Sequence, residues 1–199
     1  MVAGSGQPRR TGRRGPDVPQ VIPPRTIAGE YLEQLAAIHA ATDTRAAALA
    51  ARHAPHLVCR RGCCDCCQDG LTVLEIEAAW IMPHRDRWED PDAGPHPVGR
   101  CAFLDSDGAC RIYRWRPFVC RTQGLPLRWL DDAGSAEAGR SICPLNEAEF
   151  VAAGRPLVDL DSAQLWTLGE TEGRLASLQA EAAGEFAQVR ITLRNLFDA

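Results

Sequence analysis

Apolar positions recur at helical spacing over residues 31–52. There Leu35, Ile38, Thr42 and Leu49 fall near one face and alanine fills most of the rest, so a long helix is predicted. Pro55 ends it and delivers the chain into Cys59. His39 and His53 lie within this helix and His56 just beyond; they read as packing or surface histidines rather than ligands. Thr72-Val-Leu-Glu75 has the form of a capping box, opening a short helix that Pro83 terminates and whose buried face is Ile76 and Trp80. Residues 83–99 hold four prolines and two glycines and read as a loop. In 101–113 the dipeptide Asp107-Gly108 sits between two β-prone arms, which predicts a tight hairpin with Cys101 and Cys110 close together at its base. A helix cap is expected over Asn146 to Glu149. A further helix is expected from near Asp161, carrying Leu165, Leu168, Leu175 and Leu178 and weakened by Gly169 and Gly173. The stretch 186–197 fits a helix (Phe186, Val189, Leu193, Leu196) or a strand (Val189, Ile191, Leu193), and the helix is preferred. No internal repeat interrupts this order. The pattern as a whole predicts an α-rich α+β fold: a small single domain with helices around an irregular cysteine cluster and one short hairpin.

Composition adds bounds to that picture. At 199 residues, 45% apolar and 24% charged, the chain has an ordinary globular mix and the length of one domain. All 22 basic residues are arginine, which with the abundant alanine points to a GC-rich bacterial genome rather than to a function. Residues 1–25 carry five arginines among Gly and Pro against Asp17 alone, although the whole chain has a net charge of −4. A disordered basic leader (1–25) before an acidic body (26–199) is therefore expected. A basic tail could touch nucleic acid, but a solvated leader is the plainer reading, and nucleic acid is not an expected partner. The arginine pairs Arg9-Arg10 and Arg13-Arg14 are followed by no apolar h-region, which argues against a secretory or twin-arginine signal. No stretch approaches the roughly 18 apolar residues of a membrane helix. A cytoplasmic location without a membrane partner is expected.

The cysteines then dominate. All nine lie between Cys59 and Cys143, and five of them crowd into Cys59-Arg-Arg-Gly-Cys63-Cys64-Asp-Cys66-Cys67. Disulfides, metal ligation and redox chemistry could each occupy them. Disulfides belong to oxidising compartments, so in the cytosol the cluster reads as metal-binding. Cys63 to Cys66 and Cys64 to Cys67 are interleaved C-x2-C pairs, a spacing that lets two sulfurs converge on one ion from a tight turn in zinc and iron–sulfur sites alike. Cys66 and Cys67 are adjacent, and successive side chains of an extended backbone point to opposite sides. Such a pair suits two centres, or one polynuclear centre, better than one tetrahedral ion. Setting Cys64 aside leaves eight thiols, enough for two four-sulfur sites.

Two sharper readings fail. Cys59-x3-Cys63-x2-Cys66 has the spacing of radical S-adenosylmethionine enzymes, but Asp65 stands where they carry an aromatic residue, and no alternating strand–helix units follow to build their barrel. Asp105 and Asp107 have the start of a calcium loop without its later ligands or closing glutamate.

Several motifs occur in order: Cys59-x3-Cys63-x2-Cys66-Cys67, then Cys101-x-Phe-Leu-Asp, then Asp-Gly-x-Cys110-x-Ile-Tyr, then Arg116-Pro117-x-x-Cys120-Arg121. In these the chain resembles the YkgJ-type CxxCxxCC proteins, small cysteine-cluster proteins described as zinc- or iron-chelating. The resemblance covers the cluster core, 59–144. It implies that Cys59, Cys63, Cys66, Cys67, Cys101, Cys110, Cys120 and Cys143 are the metal-linked thiols, with Cys64 at a variable position. It implies zinc or iron as cofactor, the iron alone or in an iron–sulfur cluster, and metal ions as partners; it carries no reaction. Four thiolates around a divalent ion leave a charge of about −2, so cationic donors are expected nearby. Among the arginines beside the cysteines (Arg60, Arg61, Arg100, Arg111, Arg116, Arg121), Arg116 and Arg121 are the preferred cofactor-supporting pair because both belong to the family-like motif. Tyr113, Trp115 and Phe118 are expected to pack over the site. No Ser/His/Asp set, carboxylate pair or phosphate-binding glycine loop supports catalysis, so a non-catalytic metal-binding protein is the leading expectation. An iron–sulfur redox enzyme or maturation factor is the alternative.

Overall fold

Helix α1, Gly29–His53, buries Leu35, Ile38 and Leu49 as its spacing predicts. They meet Ile76 of α2 (Glu75–Ile81), Phe118 of α4 (Phe118–Thr122) and Leu175 and Leu178 of α6 (Glu170–Ala183). Each buried leucine or isoleucine is worth about 1.5–3 kcal/mol. That face, more than the helix propensity of the alanines, therefore holds α1 in place. The chain is seen here in a computed structural model that describes residues 24–199 apart from 91, 132, 135, 185 and 186. The expected basic leader lies outside the described residues up to residue 23. Arg25, at its end, ion-pairs with Glu75 on α2 at 2.6 Å.

A second apolar cluster lies under a two-stranded antiparallel ribbon, β1 (Thr72–Leu74) with β5 (Arg190–Thr192), where Val73 faces Ile191. Beneath the ribbon sit Trp88 of α3 (Arg85–Trp88), Phe103, Ile112 and Leu196, with Cys64, Cys67, Cys101 and Cys110 in or against the same cluster. A third cluster seats Phe150 of α5 (Pro144–Ala152) on Ile142, Leu160 and Leu165. Strands β2 (Leu127–Leu130), β3 (Glu137–Ser141) and β4 (Trp166–Thr167) form a sheet of order β3-β2-β4, antiparallel on one side of β2 and parallel on the other. The architecture is α-rich α+β. Among the described residues no helix is long and apolar enough to cross a membrane.

Several local expectations are corrected. Thr72 opens a strand rather than a helix, because Thr72 and Val73 find partners in Thr192 and Ile191. The helix start moves to Glu75, where Glu77 accepts the Leu74 N–H at 3.4 Å. Within 83–99, residues 85–88 form a helical turn because Trp88 is drawn under Phe103 and Phe197, with ring centroids 5.0 and 5.2 Å away. The hairpin at 101–113 is a tight turn with one bridge, Leu104 to Cys110, rather than a strand pair. Its turn is closed by the Asp105 carboxylate, which accepts the amides of Asp107 and Ala109 at 3.0 and 2.7 Å. Asp161 caps a single 3-10 turn, β4 follows, and α6 begins only after Gly169. Of 186–197, Phe186 lies outside the described residues. Residues 190–192 pair as β5 and 193–197 form a 3-10 helix, so the strand alternative prevails where β1 offers an edge.

Candidate metal centre

Two successive turns shape the cysteine-rich nonapeptide. Arg60 C=O accepts the Cys63 N–H at 3.0 Å, and Cys64 C=O accepts the Cys67 N–H at 2.9 Å. Gly62 and Gly108 both have positive φ, and the two turns press together at them. A Cβ on Gly108 would stand 3.0 Å from Gly62 C=O and 3.6 Å from Cys64 Sγ. The 101–113 turn is thereby docked on the nonapeptide. A second link runs from the Cys101 N–H to Cys67 C=O at 3.1 Å.

All nine cysteines are free thiols. Their electrostatic neighbourhoods fall into two sets of four. The thiols whose charge bears on Cys59 are Cys63, Cys143 and Cys66. Cys67 feels Cys66, Cys101 and Cys110, and Cys120 feels Cys110, Cys101 and Cys66. Cys59, Cys63 and Cys143 thus fall together, and Cys67, Cys101, Cys110 and Cys120 together, while Cys66 bears on Cys59, Cys67 and Cys120 alike and is counted with the first group to make it four. Among the described residues no three His, Cys, Asp or Glu side chains close on one point tightly enough to hold an ion as they stand. The thiols are neighbours rather than a closed coordination sphere.

Cys59, Cys67, Cys101, Cys110 and Cys120 are held neutral. Burial, and then the neighbouring sulfurs, push Cys59 up; burial lifts Cys101, takes Cys110 to about 11 and sends Cys120 higher still. Cys66 shifts the other way. The Cys67 thiol donates a hydrogen bond to it, pulling Cys66 down to about 6 while Cys67 is held far above its ordinary range. One proton is shared where two anions would repel. Backbone amides already favour thiolates at two positions: the Phe103 N–H is hydrogen-bonded to the Cys101 sulfur and the Ile112 N–H to the Cys110 sulfur, each two residues on. Symmetric donors of this kind tune sulfur ligands.

The arginines are distributed differently from expectation. Arg116 and Arg121 both pair with Asp43 on α1, and Arg121 also contacts His39 at 3.3 Å. Arg116 additionally stacks on Tyr113, with its guanidinium 4.0 Å from the ring centroid, and its charge favours the Cys110 thiolate. Direct contact with sulfur comes from Arg100, whose Nη1 lies 3.1 Å from Cys64 Sγ and 3.0 Å from Cys64 C=O. Of the aromatic residues expected over the site, Tyr113 is exposed, Trp115 stacks on His84 with centroids 4.5 Å apart, and Phe118 belongs to the first core cluster. His39 and His53 are buried packing residues, as read from the sequence.

Asn146 is the residue that sequence reasoning missed. Expected to begin a cap, it lies inside α5, whose N-cap is Cys143 with Pro144 at the first helical position. It is fully buried and spans the first thiol set. Its Oδ1 accepts the Val58 N–H at 3.0 Å, and its Nδ2 donates to Gly124 C=O at 2.7 Å and approaches Cys59 Sγ at 3.3 Å. Gly124 (φ +88°) lets Cys59 come close, since a Cβ there would stand 2.7 Å from the sulfur. The only hint in the sequence was an amide one helical turn beyond Cys143.

The donor set fits zinc or iron. It offers soft sulfurs in number, with amide donors already directed at the sulfurs of Cys59, Cys101 and Cys110. The family model CxxCxxCC, described as "Putative zinc- or iron-chelating domain", matches residues 58–144, a segment that contains all nine cysteines. The match shows the family resemblance that the motifs implied. Nothing among the curated proteins or the solved structures matches the chain.

Proposed function

We propose that this protein is a metal-binding protein that holds two ions, zinc or iron, each through four thiolates. Cys59, Cys63, Cys66 and Cys143 would form one site, and Cys67, Cys101, Cys110 and Cys120 the other. The observation that carries this reading is the division of the eight thiols into two neighbourhoods of four, with the adjacent Cys66 and Cys67 falling one to each. A bound cation would supply the positive charge that lets all four sulfurs of a set ionise, which burial and mutual repulsion otherwise oppose. The protein's own contribution is to orient the sulfurs. The turns at 60–67 and 101–113 aim them, the Phe103 and Ile112 amides and Asn146 Nδ2 stabilise their charge, and the second core cluster packs against Cys67, Cys101 and Cys110. Arg116 and Arg121 support the site at one remove, through Asp43 and the field at Cys110.

A second reading draws on the Cys66–Cys67 hydrogen bond, which brings the two sets into contact. A polynuclear iron–sulfur centre bridging that junction would make the protein a redox enzyme or maturation factor. Strictly anaerobic purification followed by elemental analysis and visible absorbance separates the two. Two equivalents of metal per chain without sulfide and without cluster absorption support the first reading. Iron with stoichiometric sulfide and a brown chromophore establishes the second, and protein with neither metal overturns both. A cytoplasmic site of action remains part of this proposal, as in the reading of the sequence.

A further inference from the structure

The two thiol sets differ in how they meet solvent. Cys67, Cys101 and Cys110 lie in or against the apolar cluster of Trp88, Phe103, Leu104 and Ile112, and Cys101 itself is buried. In the other set Cys59 is exposed; the remaining three thiols of each set (Cys63, Cys66 and Cys143; Cys67, Cys110 and Cys120) are partly exposed, so the sets differ at Cys59 and Cys101. A cavity of about 280 Å³ opens on that second set, and Cys66 and Cys143 are part of its wall. Its floor is apolar, with Leu125 and Ile142 buried, while Gln68 and Ser141 stand exposed at the rim. This volume is just under the roughly 300 Å³ at which small-molecule sites begin. Structural zinc sites are closed, and sites that react or exchange keep an open approach. Cys66 lines this cavity, and Cys67, one peptide bond on, does not.

We propose that the ion held by Cys59, Cys63, Cys66 and Cys143 is the exchangeable one, reached through this cavity by small thiol-bearing or chelating molecules. The ion held by Cys67, Cys101, Cys110 and Cys120 is permanent and structural. This inference rests on the two-site reading of function. A donor entering the cavity meets two of the four sulfurs at its wall and can compete with them for the ion one at a time. No thiol of the other set borders this cavity, and Cys67, Cys101 and Cys110 lie in or against the second apolar cluster.

The test uses the full chain carrying Cys64→Ser, which removes the thiol outside both sets, loaded with zinc. Bound zinc is counted first. Transfer to the chromophoric chelator 4-(2-pyridylazo)resorcinol is then followed, and iodoacetamide with peptide mapping locates the thiols freed at each stage. Two equivalents should leave in two phases, the early one exposing Cys59, Cys63, Cys66 and Cys143 to alkylation while Cys67, Cys101, Cys110 and Cys120 stay protected. Ser141→Trp and, separately, Gln68→Trp place an indole at the rim, at exposed positions the fold tolerates. Each should slow the early phase by about tenfold, the size of effect that changes beside metal ligands typically carry, and leave the late phase alone. Release of both equivalents in one phase, early alkylation of the Cys67 set, or an early phase indifferent to both rim variants would overturn the inference while leaving two-site binding intact. Fewer than two equivalents of zinc would overturn the reading of function and this inference with it.

Discussion

Asn146 Nδ2 stands 3.3 Å from Cys59 Sγ while the same side chain accepts the Val58 N–H at 3.0 Å, so one buried amide ties helix α5 to the first cysteine of the cluster. Both Cys143, at the N-cap of α5, and Cys59 belong to the same thiol set. The amide therefore ties together two segments whose cysteines, Cys59 and Cys143, are 84 residues apart in the chain. Asn146→Ala would leave the Val58 amide and the Gly124 carbonyl without this partner. Leaving buried polar groups unpaired costs about 1–3 kcal/mol. Denaturant unfolding of the metal-loaded variant should show a loss of that size together with weaker metal retention. A stability loss with unaltered retention would make Asn146 a packing residue only.

His53 gives the fold a pH dependence that does not pass through the cysteines. It is fully buried, its Nε2 lies 2.8 Å from Gln164 C=O, and its ring is tilted on Phe150 with centroids 5.3 Å apart. Burial lowers its pKa below the ordinary 6.5, so the native state favours the neutral ring. The unfolded chain then binds the proton more readily. The stability that His53 contributes is complete above pH 6.5 and is lost as the pH falls through the depressed native value. Thermal melts of wild type and His53→Gln between pH 8 and 5 should differ in slope, with the wild type losing more on acidification. Parallel curves would show that His53 does not titrate with folding.

The features legible in the sequence were those that depend on neighbours a few residues away. The face of Leu35, Ile38 and Leu49 on α1 and the Asp107-Gly108 turn could both be read from spacing. What could not be read depended on distant partners. Thr72 and Val73 became a strand because Ile191 lies opposite, 118 residues on at the Val73 register. Trp88 made a helical turn out of a proline-rich segment because Phe103 and Phe197 lie beneath it. Arg121 was placed near sulfur by its position beside Cys120, yet its charge is drawn to Asp43 on α1. The grouping of thiols shows the same division. The adjacent cysteines of the nonapeptide suggested two groups of thiols, but which outlying cysteines come near which part of it depends on α5 and on the 101–113 turn.

Metal removal should unfold the cluster core first. Among the described residues between Cys59 and Cys143 the regular elements are short: three α-helices of 7, 4 and 5 residues, two 3-10 helices of 3 residues and three strands. The second apolar cluster leans on Cys67, Cys101 and Cys110. Without an ion, sulfurs that ionise repel one another, and those that stay protonated attract nothing. Helix α1 and its contacts with α6 contain no cysteine and should persist longer. Hydrogen exchange on verified metal-free protein should therefore show protection lost over 59–143 and retained over 29–53. Uniform protection, or an unchanged melting transition, would show that the ions do not organise the fold.

Serine substitution then distinguishes the ligands from the spare. Cys64 Sγ is engaged by Arg100 at 3.1 Å, and the turn at Gly108 packs on it, whereas Cys66 and Cys67 sit at the junction of the two thiol sets. Cys64→Ser keeps a side chain that can still accept from Arg100, so it should leave both equivalents of metal bound and change stability by less than about 1 kcal/mol. Cys66→Ser should remove the ion shared with Cys59, Cys63 and Cys143, and Cys67→Ser the ion shared with Cys101, Cys110 and Cys120. Each should cost several kcal/mol, as losing a structural metal does. The two effects should also differ in kind. Losing the Cys67 ion loosens the apolar cluster around Phe103 and Ile112 and exposes Trp88, which tryptophan fluorescence would report. Losing the Cys66 ion leaves that cluster intact. Metal counts on the three variants are the measurement. Loss of metal from Cys64→Ser as severe as from Cys66→Ser would make Cys64 and Cys67 a true C-x2-C pair and break the assignment of eight ligands. Loss of both ions from either Cys66→Ser or Cys67→Ser would point instead to one polynuclear centre across the junction.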